Sequence, residues 1–423
     1  MIELKNNRRE RAIVVGVTAN TTRVQSEEHL NELQLLADTA GADVVHKVLQ
    51  VKSRFDPAFY IGKGKVEEIA LLAEEDDISL IIFDDDLSSA QVRNLEKVIN
   101  KKIVDRSGLI LDIFASRARS NEAKTQVELA QLQYILPRLT RMWTHLSKQF
   151  GGIGTRGPGE TQIETDRRMV RERISNLKEK LERIATQRAT QRKARKEMHN
   201  ISLVGYTNVG KSTLLNTLSQ SDVFVENRLF ATLDATTRQV ELDAETKVLM
   251  TDTVGFIRKL PHHLIASFKS TLEEITEADI LLHVVDVSHP QMEDHIAVVK
   301  NTIEDLGAGN KPVIYVFNKV DIIEERMLIK DLQSKYSPSV FIAARRGINI
   351  TGLKEQLLHA ISASFNEKTY TLSSNDYKLL SQIHNLAEVT NQKFEDDKIN
   401  ITVKVNAKNK EQLEALLHEL KQQ

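Results

Sequence analysis

The sequence predicts a multidomain α/β protein, and three features of its 423 residues lead to that prediction. Short apolar runs such as Ala12 to Val17 and Leu80 to Phe83 alternate with segments of helical spacing, which is typical of a small parallel sheet. A central stretch carries long apolar seams of the kind found in paired helices. Further on, the strand-like run Ile201 to Val204 leads into a glycine-containing loop and a helix. The length corresponds to roughly three domains.

Composition excludes several classes of site. The chain has no cysteine, which excludes disulfides, thiolate catalysis and cysteine-bound metals. Its 12 histidines lack metal-ligand spacing, and even the neighbours His262 and His263 would face apart on a helix. No apolar run is long enough to span a membrane, and the N-terminus lacks the apolar core of a signal peptide. We expect a cytoplasmic protein without stable membrane insertion; peripheral attachment to the membrane stays open.

The first region, 1–115, is predicted to be an α/β subdomain. Two segments whose apolar residues have helical spacing lie between its predicted strands, Glu28 to Asp38 and Lys65 to Ala73. The glycines of YIGKGK, Tyr60 to Lys65, match no complete nucleotide-binding motif, so a turn leading into a helix is the favoured interpretation.

The second region, 116–198, is predicted to be a helical hairpin with a glycine-rich loop at 151–160. Two apolar seams step by three and four residues: Leu132, Ile135, Leu139, Met142 and Leu146, then Val170, Ile174, Leu177, Leu181 and Ile184. Pro137 should bend the first helix. Thr161 and Glu164 have the spacing of a capping box, which predicts that the second helix begins there.

Basic charge is concentrated in this hairpin although the whole chain has a net charge of only -1. There are 12 Lys or Arg against 6 Asp or Glu from Gln162 to His199, and 6 against 2 from Arg117 to Lys148. Such a segment is typical of a nucleic-acid partner, but a solvated helix face has the same composition. The loop GGIGTRGPGETQIETDRR is therefore either a slack connection or an RNA contact. In the second case Lys148, Arg156, Arg167 and Arg168 are its candidate phosphate ligands.

The third region, 199–364, carries the most specific motif. GYTNVGKS, Gly205 to Ser212, is G-x-x-x-x-G-K-S between a strand and a helix, which predicts a phosphate-binding loop. In such a loop backbone amides surround the phosphates, Lys211 reaches the terminal oxygens and the Ser212 hydroxyl binds Mg²⁺. The segment KVLMTDTVG, Lys247 to Gly255, is predicted to begin with a strand that ends at Asp252. The Asp252 carboxylate can hold Mg²⁺ through water, and the Gly255 amide can contact the terminal phosphate.

The base is predicted to be guanine. FNKVD follows an apolar strand and ends in Asp321, whose carboxylate can accept two hydrogen bonds from the guanine edge, with Asn318 and Lys319 shaping the pocket. Adenine has no ring NH at that edge and would leave Asp321 partly unpaired, at a cost of roughly 1 to 3 kcal/mol.

Taken together, the chain resembles HflX-type GTPases, a family of translation-factor-related P-loop GTPases, over nearly its whole length. The resemblance is carried by GGIGTRGPGETQIETDRR, GYTNVGKSTLLN, LFATLDATTR, DTVGFIRKLPHHLIASFKSTLEE and NKVD. It implies a GTPase that binds the large ribosomal subunit and helps to split or rescue stalled ribosomes. A nucleotide-sensing regulator of another RNA or protein, with incidental hydrolysis, is the alternative. The implied partners are GTP or GDP and ribosomal RNA, with no DNA, and we expect a monomer.

The resemblance also implies a set of site residues. Lys211, Thr232 and Gly255 are expected to act in catalysis, and Ser212 and Thr232 to bind Mg²⁺, with Thr232 preferred to Thr236 or Thr237 by resemblance alone. The nucleotide-contacting set comprises Gly205, Tyr206, Thr207, Asn208, Val209, Gly210, Lys211, Ser212, Phe230, Ala231, Thr232, Leu233, Asp234, Asp252, Thr253, Val254, Gly255, Asn318, Lys319, Val320, Asp321, Ala343, Ala344 and Arg345.

Three positions depart from simpler GTPases. Phe256 stands where many of them have a glutamine that orients the attacking water, which predicts slow intrinsic hydrolysis stimulated by the ribosome. Asn208 resembles an asparagine that places K⁺ beside the phosphates; a loop asparagine that stabilises its own backbone is an equal alternative. The last base-contacting loop reads Ala343, Ala344 and Arg345 instead of Ser-Ala-Lys, so the Ala344 amide is expected to reach the guanine oxygen without the usual hydroxyl.

The C-terminal region, 365–423, is predicted to be a small α/β unit. ITVKV, Ile401 to Val405, alternates strictly and predicts a strand, and Lys410 to Leu420 has helical spacing. Its function is open, with a packing role favoured over a ribosome-facing surface. Whether the first region binds a nucleotide of its own is also open.

Overall fold

The computed structural model describes residues 9–18, 22–52, 54–142, 158–193, 198–221, 228–261, 264, 268–323, 326–363, 365–373, 380, 382–383, 388–395 and 398–406. The chain divides into two compact units. The larger unit contains 1–240 and 248–348, and the smaller contains 241–247 and 349–423. No helix in the described ranges is long and apolar enough to cross a membrane.

The N-terminal part of the larger unit is a four-stranded parallel sheet with helices, as the sequence predicts. Its elements are β1 (Glu10–Thr18), α1 (Arg23–Ala40), β2 (Ala42–Val51), α2 (Lys63–Glu75), β3 (Leu80–Phe83), α3 (Ser89–Ile99), β4 (Lys102–Asp105) and α4 (Arg106–Arg117). The strand order is β2-β1-β3-β4. The YIGKGK turn is confirmed, since Gly62 is the N-terminal cap of α2.

Two long helices follow and pack against each other, α5 (Asn121–Met142) and α6 (Pro158–Lys193). Along α6 the predicted seam is confirmed: Leu177 is buried, and Val170, Ile174, Leu181 and Ile184 are half-buried. Along α5 it is confirmed only in part, because Leu132 and Leu139 are half-buried but Ile135 is exposed. Pro137 lies inside α5, which continues to Met142.

The predicted start of the second helix is wrong by one turn. The helix begins at Pro158 rather than near Thr161. Proline suits the first turn of a helix because its fixed φ is helical and the missing N–H has no partner there. This preference outweighs the capping-box spacing of Thr161 and Glu164.

The second sheet of the larger unit has six strands in the order β10-β9-β8-β5-β7-β6. Its elements are β5 (His199–Val204), α7 (Lys211–Leu218), β6 (Thr236–Glu241), β7 (Lys247–Asp252), α8 (Lys269–Thr276), β8 (Ile280–Asp286), α9 (Met292–Asp305), β9 (Val313–Asn318), α10 (Arg326–Lys335) and β10 (Ser339–Phe341). β5 pairs in parallel with β7 and β8, which are its two neighbours in the sheet. The segments that follow β5, β7 and β9 are therefore brought to one edge, where ligands of such sheets bind.

The smaller unit contains α11 (Ile350–Ala363) and an antiparallel sheet of β11 (Phe365–Ser373), β12 (Glu388–Glu395) and β13 (Lys398–Asn406). β13 is central and confirms the alternation predicted for ITVKV, because Ile401 and Val403 are fully buried. The helix predicted at Lys410 to Leu420 lies outside the described residues.

A buried arginine joins the two sheets of the larger unit. Arg106, the first residue of α4, is 1% exposed. Its Nη1 donates to Asp84 Oδ1 at 2.8 Å and its Nη2 donates to Glu32. Nη2 also donates to the Arg258 carbonyl at 2.9 Å, in the segment that follows β7. Burial by itself raises the pKa of Asp84, but Arg106 and Arg258 outweigh it and hold that pKa below its ordinary value.

Arg106→Met should therefore lower the stability of the chain substantially. It leaves Asp84 and Glu32 buried with less compensating charge, which costs about 3–5 kcal/mol when one member of a buried ion pair is removed. The midpoint of thermal unfolding measures the effect. Arg9→Met is the matched control, because Arg9 pairs with Asp38 in a contact where both side chains are about half exposed and is expected to contribute at most ~1 kcal/mol. Equal shifts for the two variants would contradict the prediction.

Candidate functional site

The loop between β5 and α7 has the backbone of a phosphate-binding loop. Gly205, Asn208 and Gly210 have positive φ angles of 153°, 63° and 98°. At Gly210 an added Cβ would lie 2.4 Å from Asn318 Nδ2, so glycine is required by both conformation and space. Gly210 is also the N-terminal cap of α7, which turns the first amides of the helix toward the loop.

This loop is hydrogen-bonded to the segment that follows β7. The Thr207 amide donates to the Phe256 carbonyl at 2.8 Å, and the Phe256 amide donates to the Gly205 carbonyl at 3.1 Å. Gly255 lies so close that a Cβ there would be 2.8 Å from Thr207 Cα. The Gly255 amide is thus held beside the loop, where a terminal phosphate would lie.

Lys211 lies on the floor of the site. It is 6% exposed, and its Nζ donates to the carbonyls of Gly205 at 3.1 Å and Tyr206 at 2.9 Å. Burial lowers the pKa of Lys211 to about 8, against the opposing effect of Asp252. The ammonium has three donors, so one is left to point toward a phosphate oxygen.

The three residues assigned to Mg²⁺ meet at one point. Ser212 Oγ donates to Asp252 Oδ2 at 2.5 Å and lies 2.8 Å from Thr232 Oγ1. Asp252 is 2% exposed, and its Oδ1 has no hydrogen-bond partner among the described residues. Burial raises the pKa of Asp252, with Lys211 acting against it. An unpaired carboxylate oxygen beside two hydroxyls suits a hard cation such as Mg²⁺.

The alternatives to Thr232 lie elsewhere. Thr237 Oγ1 lies 2.9 Å from Thr251 Oγ1, within the β6 and β7 strands, and Thr236 is exposed at the start of β6. Within the described ranges no group of three or more His, Asp or Glu side chains could hold a metal. The hydroxyl pair of Ser212 and Thr232, beside Asp252, is the arrangement that suits a cation.

The residues predicted to recognise the base are hydrogen-bonded to the phosphate loop. Asn318 Nδ2 donates to the Val209 carbonyl at 2.8 Å, which ties the end of β9 to the phosphate loop. Lys319 has a φ of 66°, and its Nζ donates to the Asn208 carbonyl at 3.2 Å and to Asp286 at 2.5 Å. These contacts explain why Asn and Lys stand together in the NKVD motif: both fasten it to the loop.

Two base-side contacts differ from the sequence interpretation. The Ala344 amide, expected to reach guanine, donates to Asn318 Oδ1 at 2.9 Å. The carboxylate expected to bind the guanine edge, Asp321, pairs with Arg346 Nε at 2.9 Å. Arg346 is 65% exposed, so its guanidinium can leave Asp321 at little cost when a base enters.

These elements surround a cavity of about 610 Å³. The predicted residues that line it are Thr207, Asn208, Gly210, Lys211, Ser212, Phe230, Ala231, Thr232, Thr253, Gly255, Asn318, Lys319, Asp321, Ala344 and Arg345. Four further lining residues, Thr213, Asn216, Arg228 and Ile322, were missed by sequence reasoning. Asn216 lies four residues after Ser212, so helical spacing alone could have identified it.

The other predicted contacts do not line the cavity. Val209, Leu233, Val254 and Ala343 are buried apolar residues that support the loops, and Asp252 lies beneath Ser212. The Gly205 carbonyl accepts from Lys211, and the Val320 amide donates to the Ile342 carbonyl. The Tyr206 ring stacks on His295 at 3.7 Å, and its hydroxyl donates to Glu32. Asp234 accepts from Arg119 and Ser120 at the start of α5.

Phe256 points away from the cavity. It is 1% exposed and lines a small apolar space with Phe114, Leu264 and Phe268. Its side chain therefore offers nothing to an attacking water.

The structure describes two of the four candidate RNA ligands. Lys148 and Arg156 lie outside the described residues. Arg167 is half-buried and Arg168 exposed on α6.

Three family models match successive parts of the chain: "GTP-binding GTPase N-terminal" over 27–115, "GTP-binding GTPase Middle Region" over 117–195 and "50S ribosome-binding GTPase" over 200–319. Among solved structures, a GTP-binding protein from Sulfolobus solfataricus in complex with GDP is 25% identical, with a TM-score of 0.44 and coverage of 83% of this chain and 98% of that chain.

Relatives named GTPase HflX match most of the chain. The Flavobacterium psychrophilum protein is 49% identical over 387 residues, 91% of this chain and 94% of that protein. The Caldanaerobacter subterraneus protein is 45% identical over 414 residues, 96% of this chain and 93% of that protein. The Escherichia coli protein is 40% identical over 391 residues, 92% of this chain and 91% of that protein. Relatives this similar over this much of the sequence establish that the chain belongs to the HflX family of GTPases, which bind and hydrolyse GTP.

Proposed function

We propose that this GTPase binds the large ribosomal subunit, promotes dissociation or rescue of stalled ribosomes, and hydrolyses GTP slowly until the subunit stimulates it. The observation that carries the proposal is the position of Phe256. The cavity has the lysine, hydroxyls and glycine amide of a phosphoryl-transfer site, but the residue after Gly255 is buried in an apolar cluster. We therefore assign the orientation of the water to a group from outside the chain.

In this proposal each site residue has a defined task. Lys211 and the loop amides hold the phosphates, and the Gly255 amide contacts the terminal phosphoryl group. The Ser212 and Thr232 hydroxyls, with Asp252 beneath them, would hold Mg²⁺, which would supply positive charge beside the phosphate oxygens. Asp321 binds the guanine edge after releasing Arg346.

The basic hairpin is the proposed contact with ribosomal RNA. The α6 side chains outside the seam are largely exposed, and several are arginine or lysine. The family model that matches 200–319 is described as a ribosome-binding GTPase, which supports the same partner.

GTP turnover with and without purified large subunits tests the proposal. Large subunits should raise turnover by roughly 100-fold, which is the scale of one well-placed transition-state group. Small subunits at the same concentration are the control, because they present RNA without the proposed partner surface. No stimulation, or equal stimulation by both subunits, would favour a regulator with incidental hydrolysis.

The loop charges can be tested separately. Lys148→Ala with Arg156→Ala should weaken binding to large subunits and lower the slope of log affinity against log salt by roughly one to two, because two phosphate contacts are lost. GTP affinity should not change. Arg23→Ala with Lys335→Ala is the matched control, since it removes two exposed charges outside the hairpin. Unchanged subunit binding by the loop variant would restore the slack-connection interpretation.

The proposed K⁺ role of Asn208 has its own test. Asn208 is exposed, lines the cavity and has a φ of 63°. Asn208→Gly removes the amide side chain and tolerates this backbone conformation. We expect the wild-type protein to turn over GTP faster in K⁺ than in Na⁺, and the variant to lose that difference. If Asn208 only stabilises its own loop, the variant will be slowed equally in both salts.

A further inference from the structure

The segment Phe230 to Asp234 brings Thr232 to Ser212 and is anchored on both sides of Thr232. Two residues before Thr232, the buried Phe230 ring packs edge-on against Phe114 at 4.8 Å. Two residues after it, Asp234 contacts Arg119 and Ser120. Both anchors lie on residues 114–120, which we call the α4–α5 junction.

Asp234, from a distant part of the chain, binds Ser120, the residue that caps α5, and its neighbour Arg119. One carboxylate oxygen accepts from the Arg119 amide at 3.2 Å and the Ser120 amide at 3.3 Å, and the other accepts from the Ser120 hydroxyl. Ser120 Oγ in turn accepts from the Ala123 amide at 3.0 Å, as the N-terminal cap of α5. The carboxylate of Asp234 also lies near the positive end of the α5 dipole, where a negative charge is stabilising.

Thr232 therefore has little freedom while both anchors hold. Its hydroxyl lies 2.8 Å from Ser212 Oγ, between an apolar anchor and a hydrogen-bonded one. The apolar anchor belongs to the buried core, whereas the Asp234 contact consists of three solvent-exposed hydrogen bonds. The Asp234 contact is thus the anchor that can open without disturbing the core.

We propose that Asp234 is a positioning residue, which holds Thr232 in its magnesium-binding place by docking on the α4–α5 junction. The proposal rests on the role of Thr232 under the proposed function. It assigns Asp234 to triphosphate binding and not to GDP binding, because GDP lacks the terminal phosphate whose charge a cation held by Thr232 would neutralise. Since coupling between two equilibria is reciprocal, binding of Mg²⁺ and triphosphate should also stabilise the start of α5, the first helix of the hairpin.

Nucleotide affinities test the assignment. Asp234→Ala should weaken a non-hydrolysable GTP analogue with Mg²⁺ by roughly 2- to 30-fold, the range for loss of a cap, and leave GDP affinity unchanged. Asp234→Asn retains an acceptor oxygen for the amides and should recover most of the loss. Asp243→Ala is the matched control, because Asp243 also accepts from two backbone amides, of Glu245 and Thr246, in the turn between β6 and β7. Thr232→Ala should weaken the analogue with the same selectivity.

Hydrogen exchange of peptides that span residues 118–123 separates a positioning role from a merely structural one. A merely structural role would not make the exchange rate depend on the bound nucleotide. In the wild-type protein, exchange should be slower with the analogue than with GDP, and Asp234→Ala should abolish that difference.

Equal weakening of GDP and the analogue by Asp234→Ala, or no weakening of either, would overturn the proposal. If Thr232→Ala leaves the analogue affinity unchanged, the site assignment fails and the positioning role fails with it. Absence of stimulation by large subunits is a separate result, since it concerns the proposed function and does not change these affinities.

Discussion

The buried guanidinium of Arg106 is the interaction on which the arrangement of the larger unit depends. A fully buried charge is tolerated only when it is paired and hydrogen-bonded, and Arg106 obtains its partners from three distant segments. The cluster around it is balanced: Arg106, Arg258 and Lys259 face Glu32, Asp84 and Asp85. Since Arg258 and Lys259 follow β7 while the three carboxylates belong to the N-terminal sheet region, neither part satisfies its charges alone.

This cluster also reaches the nucleotide site. Arg258 lies three residues after Gly255, and both of its backbone groups are held: its carbonyl by Arg106, and its amide by the Tyr206 hydroxyl at 2.8 Å. Tyr206 belongs to the phosphate loop. A displacement of Gly255 toward a terminal phosphate must therefore act against hydrogen bonds to the N-terminal sheet region. The N-terminal part of the chain is thus mechanically part of the site, although it does not line the cavity.

The sequence predicts the parts of the site whose residues are closely spaced along the chain. The phosphate loop, the end of β7 and the NKVD motif each lie within a few residues, and the strands and helices around them follow from hydrophobic periodicity. No such spacing predicts the partners of Arg106, which lie 74, 22 and 152 residues away. The Asp321–Arg346 pair and the docking of Asp234 on Ser120 are likewise contacts of tertiary folding, for which no periodic pattern exists. At Pro158 two local signals competed, and the sequence gives no measure of which is stronger.

The apolar setting of Phe256 limits how hydrolysis can be controlled. Turning its ring into the cavity would expose a large aromatic side chain and leave a void beside Phe114 and Phe268, at a cost of roughly 2–3 kcal/mol for the lost burial alone. The turned ring would not help to orient the attacking water, because a phenylalanine ring cannot hydrogen-bond it. The position that orients water in many GTPases is thus used here to pack the site against α4. Under the proposed function, control of the chemical step is left to groups that can approach the open side of the cavity, a cation beside Asn208 or a surface of the bound partner.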